Sequence, residues 1–406
     1  MGSSLTAQDK NNIGNNSVVV LESEAPQADQ AIDMRIVEGA ESLGTFSESW
    51  DDLFSRAVGS TPFLSRPWIS TFVEEGQISG SPVFLLAWSG TKLVAMLALA
   101  IHKKLNARIA MPISTGKGFY LGLLIDPNYP GAVDSMADLI DSGKVFDAFF
   151  SFELSSEDEA TNHLLHKLQE KGWFCRKVFR SPCYGAQLGC SFDEYFKKKA
   201  SSKSRQNLRR RERRLYEEGD VKIVQYEGEA LTPEVFQRIA TVEQKSWLKR
   251  RGVAMLNKPF YQKLLLRMAQ AGLGTVWLLT IDGDDVAFEY VFVTHGKLQF
   301  GWRSFDLKFT SSMSIGQILM MHVIRHSCEN GISALDIGHG ESDYKGFWAE
   351  TSFYIDRAVA ARGLTGRFIA FRSYIVWWLG ANKRLHDVVH RIKVTFLRMR
   401  LKLTSR

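Results

Sequence analysis

A chain of 406 residues, 45% hydrophobic and 12% aromatic, holds enough apolar material for two ordinary domains, which excludes wholesale disorder. Its four cysteines, Cys175, Cys183, Cys190 and Cys328, form no C-x-x-C pair and no useful spacing to histidines. This argues against a zinc site or disulfide framework, so no metal is expected and a reducing cytoplasm is the default. The net charge of +7 is unevenly spread: residues 197–214 carry ten Lys/Arg against Glu212, and residues 362–406 carry eleven against Asp387. An acidic body with two basic patches points to anionic partners at defined places.

Residues 1–32 are polar, without a basic flank and apolar core, and read as a disordered tail rather than a signal peptide. The longest apolar run, Leu93–Ile101, is about half of the ~20 residues a membrane span needs. The protein is therefore expected in the cytoplasm, soluble or peripheral on the inner face of the membrane.

A first domain is expected over 33–190. It opens with a strand near Met34–Val37, a helix around Phe46–Ala57 and a second helix announced by Pro67. A hairpin at Val83–Lys104 follows, then a strand near Val145–Leu154 and a helix around Glu157–Lys171. Basic residues crowd the next stretch, where Leu208 and Leu215 give a helix only a thin apolar stripe; Gly219 ends it and Val221–Tyr226 begins a strand. No recognised reading module accompanies the basic run, which argues against nucleic acid as partner.

The second domain, 191–361, repeats this plan. Helices are expected over Pro233–Lys249 and Lys258–Ala271, then a hairpin over Val276–Lys297 and a strand at Leu298–Phe305. A helix over Ser314–Glu329, a strand at Ala334–Ile337, a glycine-rich turn and a strand near Phe353–Ala360 complete it. At a constant offset of 193 the two hairpins share Val83/Val276, Leu85/Leu278, Leu86/Leu279, Gly90/Gly283, His102/His295 and Lys104/Lys297. That offset sets Met96 against Glu289, so chemistry is expected in the second copy only. The class is α/β with mixed sheets flanked by helices. The tail, 362–406, interleaves apolar and basic residues at helical spacing, as does either an interfacial helix on an anionic membrane surface or a helix packed on the body with a basic outer face.

Glu289 shares a strand face with Ala287, Val291 and Val293, while Phe288, Tyr290 and Phe292 face the other way. A carboxylate in such company should have a raised pKa and suit a general base, or else pair with Arg303 and serve only the fold. In LDIGHGESDYKGFW, Asp336 follows the apolar Leu335, so one of the two must face away from the core. Tyr344 and Lys345 are delivered beyond the strand's carboxyl end, where open sheets hold ligands. Tyr can protonate a leaving thiolate; Lys can bind an anion. Small residues in FTSSMSIGQIL bring free N–H groups to a helix start, a seat for pyrophosphate at Ser314, Ile315 and Gly316, or an ordinary serine cap.

This order of elements resembles the GNAT acyltransferase fold, in two tandem copies. The chain is similar to CelD-type acetyltransferases of cellulose and other envelope polysaccharide synthesis, and to their relatives the Fem-type peptidyltransferases. The likeness lies in TPFLSRPWISTF, SSKSRQNLRRRERRLYEEGDV, Ser246-Trp247, VAFEYVFVTHGKLQF, SFDLKFTSSMSIGQIL and LDIGHGESDYKGFW, and covers roughly residues 40–361. Where the family has Ser-Pro-Gly, this chain has Ser314-Ile315-Gly316.

The resemblance implies acetyl-CoA or another acyl-CoA as co-substrate, with its pyrophosphate near Ser314–Gly316. Glu289 would be the base, with Tyr344, Lys345 and Asp336 beside the reaction and Trp247 and Arg303 toward the acceptor. The usual GNAT base lies one strand later than Glu289. The acceptor would be an amine or hydroxyl of an envelope glycan or lipid precursor, and a long-chain acyl-CoA with a sphingoid-like amine fits equally. Two other readings compete: a Fem-type enzyme using aminoacyl-tRNA, and a silent accessory of a polysaccharide synthase.

Overall fold

The structure is a computed structural model that describes residues 31–57, 60–309 and 314–381. The first half runs β1 (Ile32–Glu38), α1 (Ser47–Arg56), α2 (Arg66–Glu74), β2 (Ser81–Ser89), β3 (Lys92–Lys104), β4 (Ala107–Pro112) and the short β5 (Leu124–Ile125). It continues through α3 (Ala132–Ser142), β6 (Ala148–Ser155), α4 (Glu159–Glu170) and β7 (Phe174–Gln187). Helices α5 (Phe192–Lys199) and α6 (Ser202–Glu217) lead into the second half.

That half contains β8 (Val221–Glu227), α7 (Pro233–Gln244), α8 (Trp247–Arg250), α9 (Pro259–Gln270), β9 (Gly274–Ile281), β10 (Asp284–Thr294) and β11 (Lys297–Phe305). It closes with α10 (Ile315–Glu329), β12 (Ala334–His339), α11 (Asp343–Trp348) and β13 (Glu350–Ala361), and α12 (Gly363–Ala381) follows. The expected tail falls almost wholly in residues 1–30, and the last part of the basic segment in 382–406; both lie outside the described residues.

Several elements differ from the sequence reading. The reading gave no strand at β4, because the turn before it, Leu105-Asn106, takes the left-handed conformation twice (φ 49° and 62°) without a glycine to announce it. It also left out α3 and α5. The single helix expected over Pro233–Lys249 is two. Ser246 is extended, accepts from the Leu248 N–H at 3.1 Å and donates to the Glu243 carbonyl at 2.6 Å, which caps a new helix rather than continuing the old one.

The strands of the described residues join one mixed α/β sheet flanked by helices, in the order β1-β2-β3-β4-β6-β13-β7-β12-β11-β10-β9-β8, with β5 beside β3. The four outer strands of each half are antiparallel, and β4/β6 and β11/β12 are parallel. The last strands are exchanged. β7 follows β6 in sequence but pairs with β12, and β13 follows β12 but pairs with β6, while β7 and β13 pair with each other in the middle. Each half is thus completed by the other's last strand.

One core layer is shared by both halves. Helices α1, α2, α7 and α9 cover Phe84, Leu86 and Met96 together with Leu278, Phe288, Tyr290 and Phe292. On the opposite face α3 and α4 cover Leu85, Leu97 and Leu99, and α5, α6 and α10 cover Leu279, Ala287, Val291 and Leu298. Burial of this kind contributes about 25 cal/mol per Å² of apolar surface.

The hairpin registers correct the offset of 193. Ser89↔Lys92 and Ala87↔Ala95 correspond to Ile281↔Asp284 and Leu279↔Ala287, an offset of 192. Gly90 and Gly283 mislead because they hold different places in their turns: Gly90 comes first in its turn, whereas Asp282 (φ 51°) precedes Gly283. The positional counterpart of Glu289 is therefore Leu97. Met96 faces the opposite layer.

Candidate active site

Strand alternation sends Ala287, Glu289 and Val291 under α10 and turns Phe288, Tyr290 and Phe292 to the other layer. Glu289 is 1% exposed and stands directly across from Arg303 in the β10/β11 register. Arg303 Nη2 lies 2.9 Å from Glu289 Oε1 and also donates to the Gly316 carbonyl at 3.0 Å. The guanidinium rests 4.4 Å from the centre of the Tyr344 ring. Burial pushes the Glu289 carboxyl up to about 7, and Arg303 opposes part of that rise. Its second oxygen, Oε2, has no hydrogen-bond partner among the described residues. Arg303 keeps 20% side-chain exposure, so the pair is not sealed from solvent.

Strands β11 and β12 pair only at Lys297↔Ala334, Leu298↔Leu335 and Gln299↔Asp336, although β11 runs on to Phe305 and β12 to His339. Beyond that last pair the strands part, leaving a wedge with Arg303 on one side. The start of α10 sits against it. A Cβ on Gly316 would lie 2.9 Å from the Phe305 ring and 3.4 Å from Arg303 Nη2, so glycine lets the helix start approach the strand this closely. Ser314 is left-handed (φ 53°) and makes no side-chain cap; its hydroxyl accepts from Arg211 at 2.6 Å. Ile315 and Gly316 open the helix, where N–H groups lack intrahelical acceptors and favour an anion. Residues 310–313 lie outside the described residues.

Arg211 belongs to the basic helix α6. Leu208 and Leu215 anchor that helix, and Glu212 meets His322 of α10 at 2.7 Å and Arg325 at 3.9 Å. The cationic face is therefore fixed along α10, with one arginine at the helix start.

Asp336 lies on the other side of the sheet from Glu289. Leu335 takes the α10 layer, and Asp336 accepts from the Tyr120 hydroxyl at 3.2 Å and the Gly338 N–H at 2.7 Å. Lys297 Nζ is 3.4 Å from its other oxygen. Burial and the nearby Asp336 hold the Tyr120 phenol well above its usual range, and burial pushes the Cys183 thiol up to about 12. Lys345 is buried and donates to the His339 carbonyl. Burial lowers its pKa, Asp336 opposes that, and Arg303 adds to it, so Lys345 senses both sides. Tyr344 and Lys345 lie in α11 rather than in a loop; the Ala349 N–H returns to the Lys345 carbonyl at 2.8 Å and buried Trp348 pins the turn. Trp247 stands outside this group on α8, 39% exposed, its ring 5.0 Å from the Arg251 guanidinium.

A cavity of about 630 Å³ opens on the Asp336 side, built by both halves: Leu64, Tyr120 and Leu123 from the first, Thr294, Lys297, Gln299 and Phe353 from the second. Gln299 is 3% exposed and its amide nitrogen has no partner among the described residues. A neighbouring cavity of about 670 Å³ shares Glu157, Lys297 and Phe353 with it. Sequence reading missed Tyr120, Lys297, Gln299 and Arg211. Gln299 had a signal, a polar residue between Leu298 and Phe300 on a buried strand; Tyr120, 216 residues from Asp336, had none.

Residues 202–346, from the start of α6 into α11, match the family model of the acetyltransferase (GNAT) domain. Over those residues the second half is similar to a GNAT domain. The crystal structure of FemX is similar at a TM-score of 0.55 and 11% identity, covering 76% of this chain and 95% of that one. The C-terminal domain of a putative lysylphosphatidylglycerol synthetase from Agrobacterium fabrum is similar at 0.51 and 14%, covering 82% and 96%. The structure of L-PGS from Bacillus licheniformis is similar at 0.50 and 14%, covering 82% and 95%. At such identities these likenesses speak to the fold alone. No curated protein sequence matches the chain.

Proposed function

We propose that the second half is an acyltransferase that moves an acyl group from acyl-CoA to an amine or hydroxyl of an envelope glycan or lipid precursor. The observation that carries this reading is the buried Glu289–Arg303 pair at the rim of the parted β11 and β12, within the stretch similar to a GNAT domain. Ser314, Ile315 and Gly316, with Arg211, would seat the pyrophosphate at the start of α10. The free Oε2 of Glu289 would take the acceptor's proton as the acceptor attacks the thioester carbonyl. The C–S bond then breaks and the leaving thiolate takes a proton from the Tyr344 hydroxyl. Arg303 would hold Glu289 in place and face the acceptor, and Lys345 would steady the developing oxyanion. Asp336 would act from the other side, through Tyr120 and Lys297.

The cavity between the halves suits the acceptor. It reaches the last paired position of β11 at Gln299 and combines apolar walls at Leu64, Leu123, Leu124 and Val133 with polar Lys297 and Gln299. A lipid-like amine fits such walls, and one similar structure is named a putative lysylphosphatidylglycerol synthetase. In this reading the first half, 33–190, is scaffold and half of the acceptor pocket, while 191–361 does the chemistry.

Likeness to FemX and to the synthetase domain supports a second reading, in which the donor is an aminoacyl group. Calorimetry with acetyl-CoA and longer acyl-CoAs, run beside filter binding with tRNA, separates the two. Acyl-CoA binding that weakens in Arg211→Ala is expected. Binding of tRNA without acyl-CoA would move the assignment to aminoacyl transfer, and binding of neither would leave a silent accessory protein.

A further inference from the structure

Helix α12 is apolar on two opposite sides. Its inner side packs Ile369, Ala370 and Trp377 against Ile109 of β4, Phe150 of β6 and Val359 of β13. Its outer side carries Leu364, Phe368, Phe371, Ile375 and Trp378, spaced four and three residues apart in alternation. Leu364 is 91% exposed, Phe368 64%, Phe371 53% and Trp378 42%. A helix with one face already docked on a sheet normally shows charge on the other. Here the outer face is a continuous apolar stripe flanked by Arg367 and Arg372. Single exposed apolar residues need no explanation, but four turns of them in one line do.

The spacing does not stop at residue 381. Asn382 takes the next place, and Leu385, Val389, Ile392, Phe396, Met399 and Leu403 continue the same alternation of threes and fours. Between them stand Lys383, Arg384, Arg391, Lys393, Arg398, Arg400, Lys402 and Arg406, with Asp387 as the single acid. An apolar line at this period could seat a second copy of the chain. Two copies laid along it would set these cations against one another with one acid apiece to answer them, which is repulsive. A bilayer with anionic headgroups answers both features at once. Its acyl boundary takes the phenylalanines and leucines, the headgroup level takes the tryptophan, and its surface charge takes the arginines and lysines. Among the described residues no helix is long and apolar enough to cross a membrane.

We infer that the outer face of α12 docks flat on an anionic membrane surface. The inference does not depend on the reaction proposed above, and its failure would leave that reaction standing.

The test is flotation of the full chain with vesicles of phosphatidylcholine containing about one quarter phosphatidylglycerol, against pure phosphatidylcholine. Binding to the anionic vesicles is expected, weakening in high salt. Phe368→Glu/Phe371→Glu should lower vesicle affinity about tenfold or more, since two buried aromatic side chains leave the contact. Should that variant fail to fold, Leu364→Glu tests the same stripe at a position 91% exposed, with a smaller loss expected. Undiminished flotation of either folded variant would overturn the inference. So would a wild-type chain that ignores the vesicles and instead runs as a dimer that these substitutions dissociate. Loss of flotation only on deletion of 382–406, with the α12 variants unaffected, would move the contact off this helix and overturn it as well.

Discussion

The two halves share a hairpin and use one position of it in opposite ways. At Leu97 the first half places an apolar side chain in the layer covered by α3 and α4, opposite Leu85 of β2 and between the β5 pairing at Met96↔Leu124 and the β4 pairing at Leu99↔Pro112. At Glu289 the second half places a carboxylate, with Arg303 directly across and α10 overhead. The first half spends this position on packing, and the second leaves a poorly solvated charge there, which costs stability unless it is answered. One arginine answers only one of its oxygens. On the function proposed above, an ionisable group in one copy and an apolar residue in the other divide chemistry from scaffold.

Substitutions at the two positions should therefore fail differently. Glu289→Gln is expected to lower kcat by about 10²–10⁴-fold, the usual scale for losing a general base, while the thermal midpoint holds or rises. A variant that folds and turns over normally would remove Glu289 from the reaction. Leu97→Ala should do the reverse, costing about 2–5 kcal/mol of stability and sparing turnover per folded molecule. Loss of kcat without loss of stability at Leu97 would break the distinction between the halves.

The pH dependence sharpens the same comparison. The Glu289 carboxyl is raised from 4.5 to about 7, so between those values the folded chain holds a proton that the unfolded chain has lost. Its contribution to stability is greatest below pH 4.5 and falls as pH rises to about 7, by about 3 kcal/mol in all, while activity gains as the base ionises. Melting curves across that window should show the slope in the wild type and lose it in Glu289→Gln. In Arg303→Met the rate limb should move to higher pH, because the arginine holds the carboxyl down.

Smaller effects follow at the helix start. Gly316→Ala presses a methyl group into Phe305 and Arg303 and should cost about 1–3 kcal/mol in stability or in acyl-CoA affinity. Arg211→Ala removes one exposed cation and should raise KM for acyl-CoA about two- to fivefold, an effect that salt diminishes. An unchanged KM at low salt would place the pyrophosphate elsewhere.

Much was fixed by local pattern. Period-two alternation put Glu289 beneath one layer and Phe288, Tyr290 and Phe292 in the other, and apolar runs with proline and glycine punctuation gave most strands and helices of both halves. The α/β class and the duplication followed from that repetition. What local pattern did not reach was decided by contacts between distant segments. The hairpin register rested on closing pairs rather than on shared glycines, so Leu97, not Met96, proved the counterpart of Glu289. The exchange of β7 and β13 fused two expected sheets into one, since either strand satisfies the same backbone hydrogen bonds in either half. The grouping of Tyr120 with Asp336, Arg211 with Ser314, and Arg303 with Gly316 came from tertiary packing, because a side chain's partner across a sheet leaves no periodic trace in the sequence. Residue types and their spacing determined what chemistry the chain could hold; only the folded sheet decided which of those residues meet.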